Sequence, residues 1–237
     1  MKSEFSKEFS PPSGKYKVHV NSGDWKPYSA ARLQISMNNP KHTDDKFFAE
    51  AEWVAARFDC VQLIVSDTLY KYNIMASHGV DERTAHALAR QIGDRWLVDN
   101  AKAIAAIPNA QITRWDDWLR HPAFVANHMQ VINAYKNDNI FAAEVDRTSE
   151  LFMRNKGDIS EEKRRTYIDL SRIYLLEEIA AFAVMHDEAK MIDVRPGSPL
   201  KPVLDLLQSG TVAGAPKGCN KINSVIIDFT RNKGYLG

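Results

Sequence analysis

Four side chains in this sequence are spaced so that they could capture and hand on an acyl group. Ser36 ends the segment Arg32-Leu33-Gln34-Ile35-Ser36, in which Leu33 and Ile35 alternate with polar residues as a strand requires. Asn38-Asn39-Pro40 then stops the strand in a turn. Ser36 therefore falls at a strand's carboxyl end, the edge at which open α/β sheets bind ligands. A serine there can act as a nucleophile, with Asn39 near enough to orient the acyl group it carries. The same two residues can equally serve only to hydrogen-bond the turn.

Tyr174 and Glu178 stand four apart in a stretch, Ile173 to Val184, that is apolar nearly all round. They project from one face of a buried helix. A carboxylate in such surroundings has a raised pKa, which suits proton transfer near neutrality. The alternative is a structural pair, with Glu178 meeting a buried Arg or Lys and Tyr174 a core aromatic. Arg83, His86 and Arg90 share one helix face, and Arg95 and Lys102 lie on another. They offer a modest phosphate-binding surface or a solvated helix face. Other chemistries lack their residues. There is no G-x-G-x-x-G, no P-loop, no G-x-S-x-G around Ser36 and no H-E-x-x-H or Cys/His ligand spacing, so no metal is expected.

These groups need a scaffold, and the chain reads as α/β. Lys15–Val20 and the segment ending at Ser36 are strands, Asp44–Phe58 an amphipathic helix, and Cys60–Val65 a buried parallel strand ending in Ser66-Asp67. Strand, helix and strand make one βαβ unit that brings Ser36 and Asp67 to the same sheet edge. A short helix over Tyr70–Ser77 stops near Gly79, and a longer one opens at Asp81-Glu82 and runs to about Ala106 with an irregularity at Gly93. Gln111–Thr113 is a strand. Two helices divided near Asn137-Asp138-Asn139 fill His121–Arg154, and Ser160 caps a helix running to His186. Lys190–Val194 is a strand, Leu200–Leu207 a short helix and Ile222–Phe229 a last strand.

With 237 residues, 44% hydrophobic and 26% charged, the chain reads as a flexible leader over 1–14 and a single domain over 15–237. A net charge of +1 excludes a global basic field, so any nucleic-acid contact must be local. Cys60 and Cys219 are isolated, and no apolar run approaches a membrane span. A reduced, cytoplasmic protein without membrane contact is the expectation.

Strand-Ser36-x-x-Asn39, a second strand ending in Asp67, and Tyr174-Leu175-Leu176-x-Glu178 on a late helix occur in an order that resembles the tRNA-dependent cyclodipeptide synthases. Tyr72-Asn73 with Gly79, and Ala89-Arg90 with Gly93, extend the resemblance over roughly residues 30 to 205. It implies a Rossmann-like, mostly parallel sheet flanked by helices, similar to the catalytic domain of class I aminoacyl-tRNA synthetases. It implies a monomer or homodimer that takes two aminoacyl-tRNAs in sequence and releases a diketopiperazine. No cofactor is implied, because the aminoacyl ester is already activated. Ser36 would receive the first aminoacyl group, Asn39 would help place it, Tyr174 and Glu178 would hold its amino group, and Arg83, Arg90, Arg95 and Lys102 would meet tRNA.

The chain departs from the family pattern at several positions. Gln34 stands where a glycine is usual, Ala30 where a histidine often begins the signature, Phe124 where a mid-chain tyrosine is usual, and Val194-Arg195-Pro196 where a tyrosine pair normally follows the late helix. Such departures fit a divergent branch, one of which makes arginine-containing cyclodipeptides. Its pocket would present a carboxylate to the guanidinium, with Asp67, Glu150 and Asp193 as candidates beside Gln34. Two other readings remain at this point. One is a non-catalytic binder of aminoacyl-tRNA or nucleotide; the other is a serine hydrolase of small esters, which needs a histidine on Ser36.

Overall fold

The computed structural model describes residues 14–153, 159–188, 190–197 and 200–232. The expected leader, apart from Gly14, and the last residues, 233–237, lie outside the described residues, as does Arg154.

The chain order is β1 (Tyr16–Ser22), β2 (Ala30–Ser36), α1 (Asp44–Ala55), β3 (Cys60–Ser66), a 3-10 turn (Thr68–Tyr70), α2 (Lys71–His78), α3 (Glu82–Asp99), α4 (Ala101–Ala105) and β4 (Ala110–Arg114). There follow α5 (Trp115–Leu119), α6 (Phe124–Asn137), α7 (Asn139–Leu151), α8 (Glu161–Glu188), β5 (Ile192–Arg195), α9 (Lys201–Gln208), a 3-10 turn (Lys217–Lys221) and β6 (Ser224–Arg231).

The described strands form one six-stranded sheet in the order β1-β6-β5-β2-β3-β4. Strands β6, β5, β2, β3 and β4 run parallel, and β1 pairs antiparallel with β6 at the edge. The expected mostly parallel, Rossmann-like sheet is the observed one. The winding starts at β2, proceeds through β3 to β4, and resumes on the other side of β2 with β5 and β6. The switch point, where an open α/β sheet leaves a crevice, lies between the carboxyl ends of β2 and β5.

Two cores fill the faces. One gathers Leu33, Ile35, Val54, Leu63, Val65, Ile192 and Val194 beneath Phe47 of α1 and Trp96 of α3. The other is built around α8, whose residues Leu175 to His186 are all buried. That burial on every side is why the second half of this 28-residue helix has no single wet face, while its first half is largely exposed.

Local punctuation follows side-chain chemistry. Asp138 divides α6 from α7 by accepting from the Ile140 and Phe141 N–H groups at 3.0 and 2.9 Å. The Ser160 hydroxyl accepts from the Lys163 N–H at 3.3 Å at the start of α8. Gly79 closes α2 in the left-handed conformation, φ 67°. The irregularity expected at Gly93 is not there. α3 runs through it and breaks at Asn100, whose carboxamide donates to the Trp96 carbonyl at 2.9 Å and competes with the helix ladder. The short α5, which the sequence reading leaves as the exit of a strand, is opened by Asp117 accepting the Arg114 N–H at 2.8 Å.

Candidate active site

Three polar residues share one face of β2, because side chains two apart point the same way: Arg32, Gln34 and Ser36. Leu33 and Ile35 point to the opposite core. On β5 the pairing Arg32↔Asp193 and Leu33↔Val194 sets Asp193 and Arg195 on that same polar face. On α8, Glu178, Phe182 and His186 recur at four-residue spacing along one line. The sheet and this helix thus enclose a polar seam. At its outer end opens a cavity of ≈ 550 Å³ lined by Gln34, Ser36, Asn39, Tyr174, Glu178 and Arg195 among others.

Ser36 sits at the cavity's strand edge, opposite Ser66 in the β2–β3 register. Its backbone N–H donates to Nδ1 of His42 at 3.0 Å. His42 is fixed in turn by Trp96, whose indole N–H donates to the His42 carbonyl at 2.7 Å. Burial pushes the His42 imidazole down to about 4, so it stays neutral and accepts the Ser36 N–H through Nδ1. Among the described residues no histidine hydrogen-bonds the Ser36 hydroxyl, which removes the partner that the serine hydrolase reading needs. The turn after Ser36 places Asn38 at φ 55° and lets it donate to the Tyr70 hydroxyl at 2.8 Å. Asn39 lines the cavity while its carboxamide oxygen accepts from the Lys41 N–H at 3.0 Å. The turn-forming role and the cavity-lining position coexist in this residue.

Across the cavity, Glu178 is 3% exposed. Its Oε1 accepts from Gln34 Nε2 at 2.8 Å, and Oε2 has no partner among the described residues. Burial pushes this carboxyl up to about 7, opposed by the charge of Arg195 and the bond from Gln34. The structural alternative, a salt-bridged Glu178, is not what forms. The glutamine standing at the family's glycine position is what reaches it. Burial, with the neighbouring charges of Glu178 and Glu177, raises the Tyr174 phenol and keeps it a hydroxyl. Glu177, one residue away, points elsewhere. It accepts from the Tyr72 hydroxyl at 2.6 Å and the Trp115 indole at 2.8 Å, which anchors α8 to α2 and α5.

The carboxylates expected to meet a guanidinium substrate do not line the cavity. Asp67 is fully buried and bonded to Arg114, against Gly93 of α3. Asp193 is ringed by Arg32 at 3.4 Å, His186 at 2.9 Å and Arg195 at 2.5 Å. Burial opposes its charge, but these neighbours hold the carboxyl well below the usual range. Glu150 is exposed on α7. Buried acids are stable where cations already pair with them, so two of the three candidates are spent on the fold. Gln34 alone of the expected substrate-binding set faces the cavity.

The basic residues divide. Arg83, Arg95 and Lys102 are exposed, Lys102 beyond the break at Asn100, while Arg90 is partly covered and lies 3.8 Å from Asp116. His86 meets the same carboxylate at 3.2 Å. Arg95 lines a second recess of ≈ 360 Å³ that shares Asn38 and Tyr70 with the main cavity.

Sequence reasoning missed His42 and the role of Arg195. The first follows Ser36 by six residues in a turn with no periodicity to mark it. The second sits where the family's tyrosine was sought, and only the β2–β5 register reveals its neighbours. No group of His, Cys, Asp and Glu among the described residues could hold a metal ion, and no described helix is long and apolar enough to cross a membrane.

Comparison with known proteins agrees with this geometry. The family model described as cyclodipeptide synthase matches residues 28–194. No sequence among the curated proteins matches the chain. A cyclodipeptide synthase structure from Fluoribacter dumoffii superposes with a TM-score of 0.80 at 20% identity, covering 92% of this chain and 100% of that one. The synthase from Candidatus Glomeribacter gigasporarum, solved bound to Phe-tRNAPhe, gives 0.67 at 18% identity over 88% of this chain and 90% of that one. The tyrosyl-tRNA synthetase of Archaeoglobus fulgidus gives 0.50 at 11% identity over 86% of this chain and 55% of that one. At such identities the likeness to these structures is one of fold.

Proposed function

The chain belongs to the cyclodipeptide synthase family, and from that premise we propose that it joins two aminoacyl groups through an ester on Ser36. Members of the family are tRNA-dependent aminoacyltransferases that form cyclodipeptides, and this chain is one. The observation that carries the finer reading is one cavity lined by Ser36, Asn39, Tyr174 and Glu178 together.

In the first step the Ser36 hydroxyl oxygen attacks the carbonyl carbon of an aminoacyl-tRNA. The bond to the ribose oxygen breaks, the serine proton ends on that oxygen, and a seryl ester remains. Ionised Glu178 and the Tyr174 hydroxyl hold the amino group of the bound residue, and Asn39 keeps the acyl group oriented. The amine then attacks the ester carbonyl of the second aminoacyl-tRNA. It loses its proton to Glu178, whose position near neutrality suits that exchange; the bond to the second ribose oxygen breaks, and that oxygen takes the proton on from Glu178 as the uncharged tRNA leaves. The dipeptidyl ester cyclises when its new terminal amine attacks the Ser36 ester, which frees the serine.

Arg83, Arg90, Arg95 and Lys102 would meet tRNA phosphates. Arg95 is best set for this, since its recess adjoins the cavity through Asn38 and Tyr70. One chain carries the whole constellation, so a monomer suffices, and the cytoplasm is where its substrates are. An arginine side chain is not favoured, because Glu178 is the one carboxylate among the described lining residues and the amino group claims it.

The test is mass spectrometry of culture medium after expression in a bacterial host. Cyclodipeptides absent from control cultures are expected from the parent and none from Ser36→Ala. Equal product from Ser36→Ala contradicts the mechanism. Tight aminoacyl-tRNA binding with no product would instead indicate a binder that lacks the chemistry.

A further inference from the structure

The inner wall of the cavity is charged, and one of its donors is left unpaired among the described residues. Arg195 lines the cavity and is 5% exposed. Its guanidinium lies over the Phe182 ring at 4.3 Å and donates to Asp193, which Arg32 and His186 share. Two guanidiniums and an imidazole therefore divide one carboxylate. Nε of Arg195 is buried without a partner among the described residues, and so is Oε2 of Glu178 at the same cavity. Once Glu178 turns to the amino group of a bound residue, Asp193 is the one carboxylate left to Arg195 among the described residues, and Nε still has no acceptor. An apolar side chain packed here would leave that donor buried and unpaired, which is costly.

We propose that the aminoacyl side chain taken up behind Ser36 ends in an sp² oxygen, as a carboxylate or a carboxamide, and that Arg195 is the residue that selects it. The inference rests on the acyl transfer proposed above. Gln34 and Glu178 then hold the backbone end of the bound residue, and the Arg195 guanidinium, fixed by Asp193 and stacked on Phe182, receives its far end. Donors held this rigidly discriminate strongly, because a site built to hydrogen-bond rejects the analogue that lacks the polar atom.

The experiment measures acylation of the full chain, by intact-protein mass, with tRNAs charged separately with glutamate, glutamine, aspartate, asparagine, leucine, phenylalanine or arginine. The expected result is acylation by at least one of the first four at least about tenfold faster than by the last three. The glutamate–glutamine and aspartate–asparagine arms tell carboxylate from carboxamide. Because losing a guanidinium beside Asp193 can disturb folding, the Arg195 variants are read as ratios rather than totals. Arg195→Lys should keep the preference, and Arg195→Met should bring the leucyl and favoured rates together. Faster acylation by leucine, phenylalanine or arginine in the parent overturns the inference while leaving transfer to Ser36 intact, as does an unchanged ratio in Arg195→Met. Acylation by none of them overturns both this inference and the reading beneath it.

Discussion

The Glu178 carboxyl ionises near 7 because burial and an adjacent cation pull it in opposite directions, and each pull has an owner. Burial against the apolar turns of α8 raises it, while Arg195 and the Gln34 amide lower it. In the proposed cycle its ionised form holds an ammonium group and takes a proton from it. The rate at which the seryl ester reacts on to the dipeptide should therefore rise with pH through about 7. Glu178→Gln should lower that rate about 100-fold and abolish the inflection in the residual rate, as rapid-quench assays at varied pH would measure. A parent profile flat across that range would remove Glu178 from proton transfer.

Glu50 obeys the same physics with nothing to gain from it. It is fully buried in α1, and neither carboxyl oxygen has a partner among the described residues. Burial pushes its pKa from 4.5 up to about 8. The unfolded chain sheds this proton first. Between those two values it binds fewer protons than the folded chain, and stability falls as pH rises. Glu50→Gln should remove that fall, which is on the order of a few kcal/mol, so parent and variant should diverge in urea titrations between pH 5 and pH 8.

At the scale of elements, the site depends on how closely α3 approaches the sheet. A Cβ at Gly93 would lie 2.5 Å from the Asp67 Cβ and 2.9 Å from an Arg114 guanidinium nitrogen. Gly93→Ala must push α3 away from β3 and β4, at a cost of about 1–3 kcal/mol in the denaturation midpoint. Loss of the fit would also loosen Trp96, which holds His42 and through it the Ser36 backbone.

Elements with a clear period were legible in the sequence. Leu33 and Ile35 marked β2, the apolar run Cys60 to Val65 marked β3, and the apolar stretch Ile173 to Val184 in the second half of α8 placed Tyr174 and Glu178 together. The break at Asn100 was not legible, because it depends on a carboxamide choosing the Trp96 carbonyl and carries no glycine or proline. Nor was the fate of Asp67 and Asp193. Their partners Arg114, Arg32 and Arg195 come from strands whose register no local pattern reveals. A carboxylate at a strand end looks the same in sequence whether it faces a substrate or a buried arginine.

At the scale of the whole molecule, the reversal of strand order between β5 and β2 gathers Ser36 and Arg195 at one crevice, and α8 closes it with Tyr174 and Glu178. With a net charge of +1, the proposed tRNA contact must rest on local cations, for which Arg83, Arg95 and Lys102 are the exposed candidates. Everything in the proposed cycle passes through one covalent ester. The most direct measurement is peptide mapping by mass spectrometry of the full chain quenched after mixing with an aminoacyl-tRNA that it uses. The account predicts an aminoacyl adduct on the peptide containing Ser36, absent from Ser36→Ala. An adduct on another residue, or cyclodipeptide made at the parental rate by Ser36→Ala, would contradict it.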